Sequence, residues 1–242
     1  MQLQVIGTGS SGNAYLLWGM LNGERKAILL DAGLPTGVIL KAVGYDTSKI
    51  AACFVTHEHG DHASAVYELS KLGIKCYGNA ETAKVVRGLR SDDYVSDKVR
   101  FVHGFIVQEF PTNHDAVAPC GYLIYDIETK THLVYATDTY YLTYKFPGVE
   151  HWLIECNYCD EYLDTAPLAL RYRLEHSHMS LSRLCKLFHE NDLSNTRQII
   201  LCHISRDRGN IPYMVDMIRN ITHKKVDSAT AGATYNLDDE PF

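Results

Sequence analysis

No stretch of the 242-residue chain is long and apolar enough to span a bilayer, although 46% of it is hydrophobic and 21% charged. Membrane insertion is therefore not expected. The opening residues Met1-Gln2-Leu3-Gln4-Val5-Ile6-Gly7 carry no basic leader, no long apolar segment and no small-residue cleavage site. They read as the first strand of the fold, and the cytoplasm is the expected compartment. Positive charge is short as well: 23 Lys and Arg stand against 29 Asp and Glu, a formal net charge of −6. That balance gives no global attraction for a polyanion and leaves phosphate to local patches. One asymmetry exists, between Arg197 and Lys225, where Arg197, Arg206, Arg208, Arg219, Lys224 and Lys225 outnumber Asp207 and Asp216. The tail through Asp238, Asp239 and Glu240 is acidic. A disulfide framework is also missing, because the seven cysteines are odd in number and scattered, several in apolar runs (Cys53, Cys76, Cys202). Reduced, buried thiols fit that pattern, and Cys156-Asn157-Tyr158-Cys159, without a second pair, reads as coincidence. With no low-complexity linker and no short repeat, one domain over residues 1–242 is expected.

What the chain does contain is an alternation of short apolar runs and turns. Leu3–Ile6, Ala14–Trp18, Ala27–Leu30 and Ala52–Val55 read as strands, followed by helices over Ala63–Leu72 and Glu81–Leu89 that stop near Gly73 and Gly88. The second half repeats the pattern. Strands are expected at Phe101–Phe110, Gly121–Tyr125, His132–Ala136, Trp152–Ile154 and Gln198–Cys202, and helices at Ser180–His189 and Tyr213–Ile218. The sixteen tyrosines suit ordinary strand packing, a subunit interface or base stacking, so the oligomeric state stays open, with a dimer one option.

Directly after the apolar run Ala51–Val55 comes His57-Glu58-His59-Gly60-Asp61-His62. Neutral imidazole and carboxylate are the donors that Zn²⁺, Mn²⁺ and Fe²⁺ accept, and a strand end leading into a turn can aim alternate side chains at one point. Three further residues stand just past strand-like runs and qualify as ligands: His114, Asp138 and His203.

This ordered set resembles the metallo-β-lactamase-fold hydrolase superfamily. The resemblance runs from Gly7-Thr8-Gly9-Ser10-Ser11-Gly12-Asn13 through Leu30-Asp31-Ala32-Gly33 and the His-rich run to His114, Asp138 and His203. It implies an α/β fold, a four-layer αβ/βα sandwich with the active site at the edge of two packed β-sheets. It further implies that His57, His59 and His114 hold one divalent ion, that Asp61, His62 and His203 hold a second, and that Asp138 bridges them. Asp31 would fix the tautomer of a ligating imidazole, and Glu58 would be a non-ligand. Two ions, Zn or Mn with Fe also admissible, would supply a bridging hydroxide for hydrolysis that Asp61 helps orient. No serine nucleophile is then required, and Ser10-Ser11 reads as turn chemistry.

His178-Met179-Ser180 resembles the His-x-Ser/Thr element of the phosphodiesterase branch, and Glu155 stands where ribonuclease Z-like enzymes place a carboxylate supporting that histidine. An imidazolium held by a carboxylate can protonate a departing alkoxide. Leu170-Arg171-Tyr172-Arg173-Leu174 and Leu201-Cys202-His203-Ile204-Ser205 resemble the YycJ-like group, associated with metal-dependent nuclease activity on DNA. Ser177, Met179 and Leu181 depart from the group's Gly, Leu and Asn. No Gly/Pro-rich arm of the ribonuclease Z kind is present. Arg171, Arg173 and Arg206 are the candidate phosphate contacts. The expectation is a dinuclear metal phosphodiesterase that acts on nucleic acid, in the manner of a DNA exonuclease, or on a small nucleotide such as a cyclic nucleotide. The alternatives are a carboxyl-ester, lactone or thioester hydrolase on the same metals, and a non-catalytic metal-dependent binding module.

Overall fold

The computed structural model describes residues 1–96, 98–164 and 166–238. Asp239 and Glu240 of the acidic tail lie outside the described residues. Six strands open the chain: β1 (Gln2–Gly7), β2 (Ala14–Leu21), β3 (Glu24–Leu30), β4 (Ile50–Phe54), β5 (Cys76–Tyr77) and β6 (Leu89–Arg90). Eight follow: β7 (Val99–Val102), β8 (Phe105–Pro111), β9 (Cys120–Asp126), β10 (Thr131–Ala136), β11 (His151–Glu155), β12 (Gln198–Cys202), β13 (Lys225–Ser228) and β14 (Thr234–Asn236). They form two 7-stranded sheets, ordered β14-β1-β2-β3-β4-β5-β6 and β13-β12-β11-β10-β9-β8-β7. In each sheet antiparallel hairpins lead into a parallel half, β3 to β6 in the first and β10 to β13 in the second. β14 crosses back to pair with β1 and ties the end of the described chain to its start.

Alternate residues of each central strand serve two cores. Tyr15, Leu17, Ile28, Leu30 and Phe54 meet Tyr122, Ile124, Leu133, Tyr135 and Ile200 between the sheets. Leu16, Leu29 and Cys53 point the other way, against helices α1 (Thr36–Ala42) and α3 (Val66–Lys71). On the far side Trp152, Ile154, Ile199 and Leu201 pack under α6 (Leu181–Glu190) and α7 (Ile211–Thr222). Both faces of the sheets are thus covered, which is why the strands read as continuous apolar runs. The layers are helix, sheet, sheet, helix.

Three expectations need correcting. The run Phe101–Phe110 is a hairpin, β7 and β8, joined by His103 and Gly104 at φ 43° and 81°. Two left-handed residues make the tight turn that matches strand twist, so a continuous apolar pattern conceals a reversal. The helix expected over Ala63–Leu72 is broken into α2 (Gly60–Ala63) and α3, because the Ala65 N–H donates to the Ala32 carbonyl at 2.9 Å. That break lets His62 face inward. The third, over Glu81–Leu89, is the short α4 (Ala80–Val85), capped by the Asn79 side chain, after which Leu89 enters β6.

Candidate functional site

The site forms where strand ends of both sheets meet along one edge. β4 delivers His57 and His59 on the turn leading into α2, which carries Asp61 and His62; β8 delivers His114, β10 Asp138, β11 Glu155 and β12 His203. Close backbone contact fixes the first of these turns. A Cβ on Gly33 would lie 1.7 Å from the Asp61 carbonyl oxygen, and Ala32 N–H donates to the His62 carbonyl at 2.7 Å. Only glycine lets the β3 exit lie against the histidine turn.

His57, His62 and His114 are each aimed by what the other ring nitrogen does. Asp31, fully buried, accepts from His62 Nδ1 at 2.7 Å, from the Thr56 N–H at 2.8 Å and from the Tyr135 hydroxyl at 2.6 Å. A carboxylate can only accept, so Nδ1 of His62 carries a proton and Nε2 faces the site. His114 Nδ1 donates to the Ser177 carbonyl at 2.7 Å, and His57 Nδ1 meets the Thr56 hydroxyl at 3.0 Å. The nitrogens left over converge: His57 Nε2 lies 3.1 Å from His59 Nδ1, which lies 3.2 Å from His114 Nε2.

The donor set fits divalent metal. Ligands about 2.0–2.1 Å from a tetrahedral zinc stand about 3.3 Å apart, close to the spacing of these three nitrogens. With His114 Nδ1 already the donor, its Nε2 brings a lone pair to the convergence point, where a cation would answer it. Asp61, His62 and His203 form a second convergent group. Among the described residues its His203 Nε2 is buried without a hydrogen-bond partner, Asp61 Oδ2 standing 3.7 Å away, a gap that a cation would fill. Asp138 lies between the groups, with Oδ1 2.7 Å from His203 Nδ1 and 3.3 Å from His62 Nε2, and Oδ2 3.6 Å from His114 Nε2.

Electrostatics divide the histidines. Burial, reinforced by His62, holds His57 well below its ordinary pKa, and burial lowers His114 despite Asp138. Neutral imidazole is the ligating form. Burial also opposes charge on His62 and His203, but Asp138 outweighs it for both, joined by Asp31 at His62, which is pushed up to about 10. Asp138 is held well below the usual carboxylate range by His203 and His62, against its burial.

Glu155, with no exposed surface, accepts from His178 Nδ1 at 2.7 Å, from the Thr139 and Met179 N–H groups at 2.8 and 3.0 Å, and meets His203 Nδ1 at 3.2 Å. Burial works against ionisation of either partner, yet the pairing lowers Glu155 and raises His178. His178 thus sits on the cleft wall with Nδ1 committed and its other nitrogen free to face a ligand.

A cleft of about 200 Å³ opens over these groups, lined also by Ser10, Asn157, Leu170, Arg173 and Ile204. Of the candidate phosphate contacts, Arg173 borders it. Arg206 is exposed and reaches the Ser11 hydroxyl at 3.3 Å. Arg171 is not brought to the cleft: its Nε bonds Glu175 at 3.0 Å along α5 (Leu168–Ser177). Glu58 turns away from the convergent nitrogens and accepts the Val117 N–H at 2.8 Å. Sequence reasoning gave no role to three short polar side chains. Asn13 brings its amide 3.1 Å from His62 Nε2, Thr56 links Asp31 to His57, and the Asn113 amide donates to the Tyr141 carbonyl at 2.8 Å while its backbone N–H donates to Thr139 Oγ1. Of these, only Asn13 lay within a recognisable motif.

The family model of the metallo-beta-lactamase superfamily matches residues 7–132. The chain belongs to the metallo-β-lactamase superfamily. Among solved structures it is similar to the metallo-beta-lactamase fold protein YhfI from Bacillus subtilis, at 18% identity over 97% of this chain and 98% of that one, with a TM-score of 0.73. Human tRNase Z, short form, is 15% identical over 98% and 99% of the two chains, TM-score 0.63. A diphosphatase of the PhnP family is 16% identical over 97% and 96%, TM-score 0.64. At these identities the likeness is one of fold. No curated protein matches the chain in sequence. Among the described residues no helix is long and apolar enough to cross a membrane.

Proposed function

We propose that the chain is a metal-dependent phosphodiesterase with two divalent ions, Zn or Mn, and that its substrate is the phosphodiester of a nucleic acid or of a small nucleotide such as a cyclic nucleotide. The observation that carries this reading is the buried Glu155–His178 pair, which converges with Asp138 and His203 at the edge of the His57–His59–His114 and Asp61–His62–His203 groups. Thioesters expel a stable thiolate without help, whereas an alkoxide leaving phosphorus gains from a proton supplied as the bond breaks. That a tRNase Z and a PhnP-family diphosphatase share the fold supports placing the reaction at phosphorus.

His57, His59 and His114 would hold one ion, Asp61, His62 and His203 the other, with Asp138 between. Bound there, the ions would polarise the phosphoryl group and acidify a water molecule toward neutral pH. The chain's own groups do the rest. Asp61, partly exposed at the cleft floor, orients the water; Arg173 meets a phosphate oxygen; His178, kept protonated by Glu155, gives its outward proton to the leaving oxygen while Nδ1–H stays on Glu155. A cleft of about 200 Å³ in a chain of net charge −6 favours a compact phosphodiester over a long duplex.

The test is turnover by protein loaded with Mn²⁺ or Zn²⁺, offered bis(p-nitrophenyl) phosphate, cyclic mononucleotides, single- and double-stranded DNA, and a lactone. Hydrolysis of phosphodiesters is expected, and lactone turnover alone would overturn the assignment. Metal-loaded protein inert to every substrate would leave a binding module.

A further inference from the structure

Next to His114, on the loop between β8 and β9, stands a carboxylate that the chemistry above does not use. Asp115 is half exposed, with Oδ1 3.3 Å from His114 Nε2, the nitrogen turned toward the site, and Oδ2 3.7 Å from Nε of Arg173 on α5. It is not part of any convergent ligand group. Arg173 is the candidate phosphate-binding arginine that lines the cleft, since Arg171 is tied to Glu175 and Arg206 stands over Ser11. A phosphodiester anion poised for attack would make comparable approaches, one oxygen toward the metal that the site-facing nitrogens would hold and another toward a guanidinium.

We propose that Asp115 is an internal stand-in for the substrate phosphate, occupying its place between His114 and Arg173 until substrate displaces it. The inference rests on the phosphodiesterase reading and adds a specificity device to it. The contact is suited to displacement, because an exposed ion pair is weak and one partner sits on a loop. Any anion must compete with Asp115 for Arg173, so ligands too weakly charged to win are excluded. The cost falls on binding, not on the chemical step.

The test compares wild type with Asp115→Asn, Arg173→Ala and the double variant, all metal-loaded and at low salt. Two readouts are taken: KM and kcat for bis(p-nitrophenyl) phosphate, and the affinity for inorganic phosphate by calorimetry, which needs no turnover. Asp115→Asn is expected to lower KM and tighten phosphate by about two- to five-fold, with kcat nearly unchanged, as befits release of one exposed pair. That gain should shrink when Arg173 is already alanine. Unchanged KM and phosphate affinity would overturn the proposal. So would loss of bound metal in Asp115→Asn, since Asp115 would then be a ligand. If wild type turns over no phosphodiester, the reading of the activity fails separately, and tighter phosphate binding by Asp115→Asn still upholds the stand-in.

Discussion

Replacing His178 by alanine separates a proton donor from a residue that merely lines the cleft. Its side chain is only 11% exposed, bound through Nδ1 to Glu155 at 2.7 Å, and touches His114 and His203 edge-on or tilted at centroid distances of 5.1 and 5.4 Å. General acid catalysis is worth about two to four powers of ten, or roughly 3–5 kcal/mol of barrier. That whole amount is felt only when the leaving oxygen is a poor one. With a cyclic or linear nucleotide, whose leaving group is an alkoxide, His178→Ala is expected to lower kcat by about 10²–10⁴. With bis(p-nitrophenyl) phosphate, whose phenolate departs unaided, the loss should be under about tenfold. The assay is kcat for both substrates on one preparation, with bound metal measured alongside. The pH profile adds a second axis. Glu155 raises His178, so the acid form is present below that raised pKa and activity falls as pH climbs through it. Glu155→Gln removes the charge that raises it and should shift this alkaline limb to lower pH. Equal losses for both leaving groups, with metal content intact, would refute the proton-donor role.

Gly33→Ala should be severe, since its methyl would lie 1.7 Å from the Asp61 carbonyl oxygen. Overpacking of this kind costs about 3 kcal/mol, and a 1 Å shift of the histidine turn about 10² in rate; urea unfolding and turnover measure the two. A small change in both would mean the turn can be relocated freely. His151, buried on β11, is held down to about 3 by burial and by Arg197. Its folded pKa lies below the unfolded value, so stability is full above about 6.5 and declines as pH falls from there toward 3, by about 1.4 kcal/mol per unit. At pH 5 wild type should have lost about 2 kcal/mol more than His151→Gln in urea titrations, and matching pH slopes would remove His151 as the cause. Metal uptake should release protons, because Asp138 keeps His62 and His203 protonated in their absence. Calorimetry in buffers of different ionisation enthalpy, and an affinity that climbs with pH between 6 and 8, would register this. A pH-independent affinity would contradict it.

The central strands and the sandwich were legible because strands covered on both faces must be apolar almost throughout, as Ala27–Leu30 and Ile199–Cys202 are. β5 and β6 are two residues each, too short to show any period, and the β7–β8 reversal hides in a His-Gly pair. The convergence of His57, His59, Asp61, His62, His114, Asp138 and His203 was legible as an ordered series of metal-type donors at strand ends. The roles of Asn13, Thr56 and Asn113 were less so, since Asn and Thr are ordinary turn residues and only the fold says what they touch. The arginines illustrate a different limit. Arg171 and Arg173 are two positions apart, about 200° around a helix, so at most one can face the cleft. Choosing between them requires knowing which face of α5 is turned inward.

The core between the sheets and the site are one hydrogen-bonded structure, and its tyrosines join them. Tyr15 and Tyr135, from opposite sheets, meet edge-on at 5.7 Å with no exposed surface. Phenylalanine would fill that space, yet each hydroxyl has work at the site floor. Tyr135 donates to Asp31 at 2.6 Å, and Tyr15 donates to Thr8 Oγ1 at 2.8 Å, which in turn accepts the His203 N–H at 2.9 Å. These bonds fall on strained positions. Asp31, Asp138 and His203 have φ of 57°, 32° and 51°, left-handed backbone that costs non-glycine residues about 1–3 kcal/mol each. Such geometry persists only where surroundings over-determine it, and here the determinants come from both sheets at once. The donor cluster is therefore held by inter-sheet packing as much as by its own bonds. Its sequence signature lies at the strand ends because there the backbone can leave the sheet while its side chains stay tied to the core.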